Sequence, residues 1–274
     1  MRRVICALLV LGLASPALAD DDYPFLRGAQ TVGPATFTRW SGFYLGGQVG
    51  YGNGNAGFGN STQSSIAYAL RETVLEADFT PSQWQLLGTA NTSAPSFGGF
   101  VGYNSQWQDL VLGIEANLNR SALSLNAPST PIGPLTTGAD GFGYTHTVTI
   151  NGTGSVANVD FATLRARAGY VVGSFLPYGF AGVALGLASV SVTANIHDIQ
   201  CATTTPFACA PFTFSGNFSQ NMEVLYGLAV GAGVDVLVTP NIFLRAEFEW
   251  DQFNPPPGIL MTVATARVGA GFKF

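Results

Sequence analysis

From Met222 to Phe274 the chain alternates between two kinds of residue with a period of two. Val224, Tyr226, Leu228, Val230, Ala232, Val234, Val236 and Val238 hold one parity, with Gly227, Ala229, Gly231, Gly233 and Asp235 on the other. The pattern returns as Ile242, Leu244, Ala246, Phe248 and Trp250 against Arg245, Glu247, Glu249 and Asp251. It returns again as Ala264, Ala266, Val268, Ala270, Phe272 and Phe274 against Thr265, Arg267, Gly269, Gly271 and Lys273. A period of two is that of a β-strand, whose successive side chains point to opposite faces. Alternation alone also suits a soluble sandwich, but two details favour a membrane barrel. The charges sit in mid-strand rather than in turns. The strands also run about ten residues, which suits a tilted crossing of a bilayer roughly 30 Å thick. The stretch predicts a closed barrel with lipid outside and a polar interior.

The same rhythm runs upstream. Trp40–Gly52 places Phe43, Leu45, Val49 and Tyr51 on one face, with Tyr44, Gln48 and glycines on the other. Phe97–Asn104, Leu110–Asn119, Phe161–Val172 and Pro177 to about Thr193 bring the total to eight strands. The connections 105–109, 173–176 and 239–240 are short, and 53–96, 120–160, 194–221 and 253–262 are long. Short periplasmic turns alternating with long outer loops are the habit of outer-membrane barrels, and an even strand count returns both chain ends to the periplasmic side. The expected fold class is therefore all-β, an eight-stranded antiparallel transmembrane barrel over residues 40–274. Inside the first long loop, Ile66, Leu70 and Val74 recur every four residues, and Thr80-Pro81-Ser82-Gln83 has the form of a capping box with proline at the first helical position. These predict short helices, either as a ligand lid or adhesive surface or as a loop packing its own apolar side chains.

Residues 1–19 read as a secretory signal peptide. Arg2 and Arg3 form the basic start, Val4–Leu13 the apolar core and Ala17-Leu18-Ala19 a small-x-small cleavage site, leaving Asp20 as the first mature residue. The apolar run is shorter than the about 20 residues of a spanning helix. Residues 20–39 read as a periplasmic lead-in. Loss of Arg2 and Arg3 takes the net charge from −5 to −7, which excludes a general nucleic-acid binder with a basic face. Only 10% of residues are charged, against about 25% in a soluble domain, which suits strands whose outer surface meets lipid. Cys6 leaves with the signal. Cys201 and Cys209, eight apart in an exported chain, predict a loop-stapling disulfide; free thiols or a metal site would lack surrounding His or Cys.

The inward parities collect the acids Glu115, Asp235, Glu247 and Glu249 and the bases Arg165, Arg167, Arg245, Arg267 and Lys273. The interior of an eight-stranded barrel is only wide enough to be filled by side chains, and an isolated buried charge is very costly. The nine charges are expected to pair into a plug that closes the barrel; the alternative is a charged constriction that passes small solutes. A hydrolytic barrel needs a histidine beside a serine and an acid at one rim. The two histidines, His146 and His197, fall in different long loops, with Asp140 near the first. No catalytic residue, metal site or cofactor is expected, with haem or metal capture by the loop histidines as the alternative. Trp40, Tyr51, Tyr103, Trp107, Tyr170 and Trp250 near strand ends fit interfacial girdles.

Several segments together resemble one family. Trp40-Ser41-Gly42-Phe43-Tyr44-Leu45-Gly46-Gly47 looks like the opening strand of the small alphaproteobacterial outer-membrane barrels, the group that includes the 25- and 31-kilodalton surface antigens of brucellae. The likeness continues in Phe97-Gly98-Gly99-Phe100-Val101-Gly102-Tyr103-Asn104, in Thr163-Leu164-Arg165-Ala166-Arg167-Ala168-Gly169-Tyr170, in Leu176-Pro177-Tyr178 and in Ala246-Glu247-Phe248. It ends in Arg267-Val268-Gly269-Ala270-Gly271-Phe272-Lys273-Phe274. It covers most strands and almost none of the long loops. The resemblance implies an eight-stranded barrel of the outer membrane and a terminal Phe274 read by the barrel-assembly machinery. Members are often labelled porins, and some relatives bind haemin or host surfaces. The expected partners are outer-membrane lipid, lipopolysaccharide and the assembly machinery. The expected function is a structural or surface role in the envelope with the lumen closed by charges; the alternatives are a narrow porin or a loop-borne receptor or adhesin.

Overall fold

The computed structural model describes residues 39–71 and 73–274. The signal peptide, Cys6 and all of the lead-in but Arg39 lie outside the described residues. In chain order the elements are β1 (Gly42–Gly57), α1 (Gln63–Leu70), α2 (Val74–Phe79), β2 (Thr89–Trp107), β3 (Leu110–Ser121), β4 (Ser124–Asn126), β5 (Ile132–Thr136), β6 (Tyr144–Tyr170), β7 (Phe175–Ala202), β8 (Cys209–Leu237), β9 (Ile242–Phe253) and β10 (Leu260–Lys273). β1, β2, β3, β6, β7, β8, β9 and β10 each pair antiparallel with the next, and β10 pairs with β1. The eight long strands thus close into a barrel, above which β8 pairs with β7 alone over 209–226. β4 and β5 continue the sheet along β6 where β3 has ended.

Closure follows from the two-residue period. In the lower barrel, which ends in the short turns, apolar side chains face out: Phe43, Leu45, Val101, Ile114, Leu164, Val183, Leu228, Leu244 and Val268 are all exposed. The polar parity faces in. Higher up the solvent outside changes, and the faces exchange character. On β7 the outward positions run Val183, Leu185 and Leu187 and then Ser189, Ser191, Thr193 and Asn195, while the inward ones become Val190, Val192, Ala194 and Ile196. Across from them on β6 stand Ser155, Thr153 and Asn151 outside and Val156 and Ile150 inside. On β1 the outward switch falls between Tyr51 and Asn53, whose amide donates to Ser93 Oγ at 3.0 Å. Apolar-out below and polar-out above is what lipid and then water on the outside require.

This corrects the reading of the long loops. Residues 144–160, 194–202 and 209–221 are strand rather than loop, and 194–221 keeps only the turn 203–208. At about 3.3 Å per residue and a tilt near 40°, residues 188–202 carry the sheet roughly 35 Å past the lipid-facing band. The interior of this upper barrel is a single apolar core built around Phe58, Leu86, Leu87, Leu123, Leu125, Ile150 and Phe253.

The first connection, 58–88, packs its own apolar side chains into that core. Ile66 and Leu70 of α1 and Leu75 of α2 are buried there. The helices form as the four-residue spacing predicts, but the capping box does not. Thr80 makes no side-chain cap to the turn that starts at Pro81, whereas Thr73 N-caps α2, accepting from the Glu76 backbone N–H at 3.4 Å. Thr80 takes φ of 47°, and Pro81–Gln83 makes one 3₁₀ turn. Ser82 bonds to Glu76 instead. Trp40 is a second correction. It is not at the lipid interface but buried within the lower end of the barrel, against Phe243 with ring centroids 6.1 Å apart. Tyr51, Tyr103, Trp107 and Tyr170 do face outward and are exposed.

Candidate functional site in the barrel lumen

The lower lumen is filled in layers. At the turn end, Trp40, Tyr44, Phe100, Val111, Leu176 and Phe243 form an apolar, mainly aromatic layer. Above it lie the charges. Glu115 and Arg165 face each other across the β3–β6 ladder, Asp235 and Arg245 across β8–β9, and Glu247 and Arg267 across β9–β10. Each pair is set by register alone, and the narrow lumen then brings the three pairs together.

Arg165 is the centre. Its Nη1 and Nη2 donate in parallel to Glu247 Oε1 and Oε2 at 2.8 and 2.7 Å, the bidentate fork that a guanidinium makes with a carboxylate. It also bonds to Glu115 on β3 and to Glu249 on β9. Arg245 makes a second fork with Asp235 at 2.8 and 3.1 Å, and its Nη1 reaches Glu115 at 2.9 Å. Arg167 links Asp235 at 2.7 Å to Glu115 at 3.2 Å. Arg267 lies 2.5 Å from Glu249 as an ion pair without hydrogen-bond geometry. Two tyrosines bind into the network: Tyr44 donates to Glu115 at 2.7 Å, and Tyr178 to Glu247 at 2.9 Å.

Aromatic faces cover the guanidinium planes. Arg165 stacks on Phe180 at 3.9 Å, Arg167 on Tyr178 at 3.7 Å and Arg245 on Phe100 at 4.0 Å. Such stacking suits the flat, weakly hydrated guanidinium and not an ammonium. Glycine makes the room. A Cβ on Gly182 would come within 2.2 Å of the Leu164 carbonyl oxygen, and one on Gly231 within 2.4 Å of the Phe180 ring. Above the arginines, Gln48 donates to Asn117 and Asn119, both at 2.7 Å. The apolar core of the upper barrel begins over that.

Eight of the nine expected charges therefore join one ion-paired network. Lys273 faces inward at the turn end, apart from it, with no ion pair among the described residues. Missed by the sequence reading are Tyr44, Tyr178, Phe100 and Phe180, the partners of the arginines, and Asp251, a fifth buried acid. Each stands on the same parity as the charges, which is the signal that marks them. Cys201 and Cys209 are bridged, with sulfurs 2.03 Å apart, across the turn between β7 and β8. Phe274 lies exposed on the outer face against Phe272.

The histidines sit on strands rather than in loops. His146 of β6 is held between two acids, Nδ1 at 2.8 Å from Asp198 and Nε2 at 3.5 Å from Asp140. His197 of β7 faces outward beside Thr213. The backbone N–H of Tyr144, and then that of Phe142, donate to Asp140 at 2.8 and 2.9 Å and hold its carboxyl below the ordinary carboxylate range. Among the described residues no group of His, Cys, Asp and Glu can hold a metal ion.

Residues 5–274 match the outer membrane protein beta-barrel domain. The chain is 25% identical over 217 residues to a 22 kDa outer membrane protein of Rhizobium leguminosarum bv. viciae, covering 78% of this chain and 65% of that protein. It is 23% identical over 274 residues to a 25 kDa outer-membrane immunogenic protein of Brucella ovis, covering 99% of this chain and 96% of that one. Among solved structures, Neisserial surface protein A aligns with a TM-score of 0.38 and 17% identity, over 85% of this chain and 98% of that one.

Proposed function

The chain belongs to the outer membrane protein beta-barrel family, and from that premise we propose that it is a closed barrel of the cell envelope, a scaffold that displays ordered β-structure outside the membrane. The observation that carries this reading is the layering of the lumen. Eight charges answer one another in a single network, with an aromatic layer below and an apolar core above. A conducting path would have to cross all three.

The surface role rests on the far end. Phe142 and Phe207 stand 87% and 75% exposed on adjoining turns, where Thr203 donates twice to the Gly143 carbonyl and the disulfide closes the hairpin. Residues 199–222 carry no charge. Large aromatic side chains held outward on such a tip favour contact with another surface. Assembly into the membrane would use the exposed terminal Phe274, and outer-membrane lipid and lipopolysaccharide would surround the apolar band. The protein is read as a non-enzyme, in line with the barrel family to which it belongs.

Planar-bilayer recording tests the proposal. Barrels shown to be folded by a boiling-sensitive shift in gel mobility are expected to give no discrete conductance steps. Reproducible steps would refute the closed lumen and make Arg165, Arg167 and Glu247 the residues of a constriction.

A further inference from the structure

The ion network of the lumen balances at four acids and four arginines: Glu115, Asp235, Glu247 and Glu249 against Arg165, Arg167, Arg245 and Arg267. Asp251 is the fifth acid. It extends the β9 parity of Glu247 and Glu249 by one inward position and is 0% exposed. Neither of its carboxyl oxygens has a hydrogen-bond partner, and no ion pair joins it to a base among the described residues.

No countercharge is paired with Asp251 among the described residues. Its β8 partner in the ladder is Ala229 and its β10 partner is Val263. Phe253, the next inward position of β9 toward the loop end, and Val263 both belong to the apolar core. The charged groups that face it are Glu249 on its own strand, Arg267 on β10 and Arg165 on β6. Arg165 is hydrogen-bonded to Glu115, Glu247 and Glu249, and Arg267 is ion-paired to Glu249 with none of its nitrogens hydrogen-bonded. Lys273 lies ten residues beyond Val263 along β10, roughly 30 Å away at 3.3 Å per residue. The neighbouring inward position on β9 is Glu249, whose Oε1 accepts no hydrogen bond and is ion-paired with Arg267.

A lone carboxylate in that position would be a buried charge without a partner beside another negative charge, the arrangement a protein interior tolerates least. We propose that Asp251 is a proton-binding site of the lumen, a neutral carboxylic acid at neutral pH that donates its O–H to Oε1 of Glu249. One bound proton then removes the uncompensated charge of Asp251 and leaves the network electrically neutral. Two acids without a third ligand make a poor cage for a metal ion, so the proton is the ligand the site takes. This rests on the closed-lumen reading only in that a water-filled channel would hydrate Asp251, and bilayer recording tests that point separately.

Infrared spectroscopy of the folded protein in lipid at neutral pH tests the proposal directly. The carbonyl stretch of a protonated carboxylic acid is expected in the wild type and lost in D251N, a variant of nearly the same shape. D251N is also expected to keep the boiling-sensitive mobility and to unfold at a urea concentration no lower than the wild type. Absence of the band in the wild type, or a band unchanged in D251N, would overturn the assignment. So would failure of D251N to fold, because a neutral acid must tolerate a neutral isostere. Loss of the band together with sodium-dependent stability would assign a cation in place of the proton and likewise overturn it.

Discussion

Replacing Arg165 by methionine removes the centre of the lumen network while keeping an unbranched side chain of similar length. Arg165 is almost wholly buried, so solvent screening does not dilute the effect. The loss is unequal for its three acids. Glu115 keeps Arg167 and Arg245, and Glu249 keeps Arg267. Glu247 loses its bidentate partner and retains Tyr178, with Arg245 and Arg267 each 3.9 Å away. Removing one partner from a buried ion pair costs about 3–5 kcal/mol, mainly because the other charge is left uncompensated. With a urea dependence near 2 kcal/mol per molar, the unfolding midpoint should fall by about 2 M. The assay is a urea titration of the barrel in lipid, read by the boiling-sensitive band. If the uncompensated carboxylate is the source of the cost, adding Glu247→Gln to Arg165→Met should recover on the order of 1–3 kcal/mol rather than add to the loss. A single variant within about 0.5 M of the wild type, or a double variant worse than the sum of the singles, would refute the reasoning.

Further expectations follow from other parts of the barrel. Val183→Arg, outward in the lipid band, should cost about 2–4 kcal/mol, whereas Ser191→Arg, outward above the exchange of faces, should stay within about 0.5 kcal/mol; equal costs would misplace the membrane edge. Gly182→Val should abolish the boiling-sensitive band, because its Cβ would meet the Leu164 carbonyl oxygen at 2.2 Å and the Arg165 backbone at 2.6 Å. Reduction of Cys201–Cys209 should open the 203–208 turn to proteases while leaving the urea midpoint of the barrel unmoved. For the turn at Asp140, the sign follows from its lowered pKa. The stabilisation is present above the ordinary carboxylate range and is lost as pH falls through the lowered value. Protection of the Phe142 and Tyr144 amides, taken as exchange relative to the intrinsic rate at each pH, should therefore persist at mildly acidic pH and be lost only below that range, and Asp140→Asn should abolish that loss.

The lower barrel was legible because lipid imposes one rule on every strand that crosses it. Apolar side chains must face out, so whatever is polar faces in, and parity alone put eight of the nine charges into one network. Parity does not say which acid meets which arginine. That depends on the strand register, which pairs Glu115 with Arg165, and on the narrow lumen, which then brings Glu247 to the same guanidinium. The upper barrel was misread for a related reason. Past Thr193, where the sequence suggests the strand ends, Ala194-Asn195-Ile196 continues the period of two of Val190-Ser191-Val192-Thr193, but with the polar set outward. Ser, Thr and Asn there look like loop composition, although they are the wetted face of a strand with a core behind it. Trp40 was misplaced because an aromatic residue at a strand end suits a lipid interface and a lumen floor equally, and only three-dimensional packing against Phe243 distinguishes the two.

The exchange of faces also bears on what the lumen is for. Where lipid surrounds the barrel, the interior receives the polar parity, and a pore would use it by keeping the charges wet and separate. Here three of the four network arginines are stacked on aromatic rings, and two of those three make bidentate forks with carboxylates. Such geometry would be lost if water competed for the same donors. Where water surrounds the barrel, the interior receives the apolar parity instead, and the first connection adds Ile66, Leu70 and Leu75 to it. A channel gains nothing from filling its own mouth with a helical segment. A scaffold gains a rigid base for its exposed tip, because the apolar core braces the tall β6, β7 and β8 from within while the ion network fixes the strands below. The same chain thus solves two opposite burial problems in one sheet, and both solutions favour rigidity over passage.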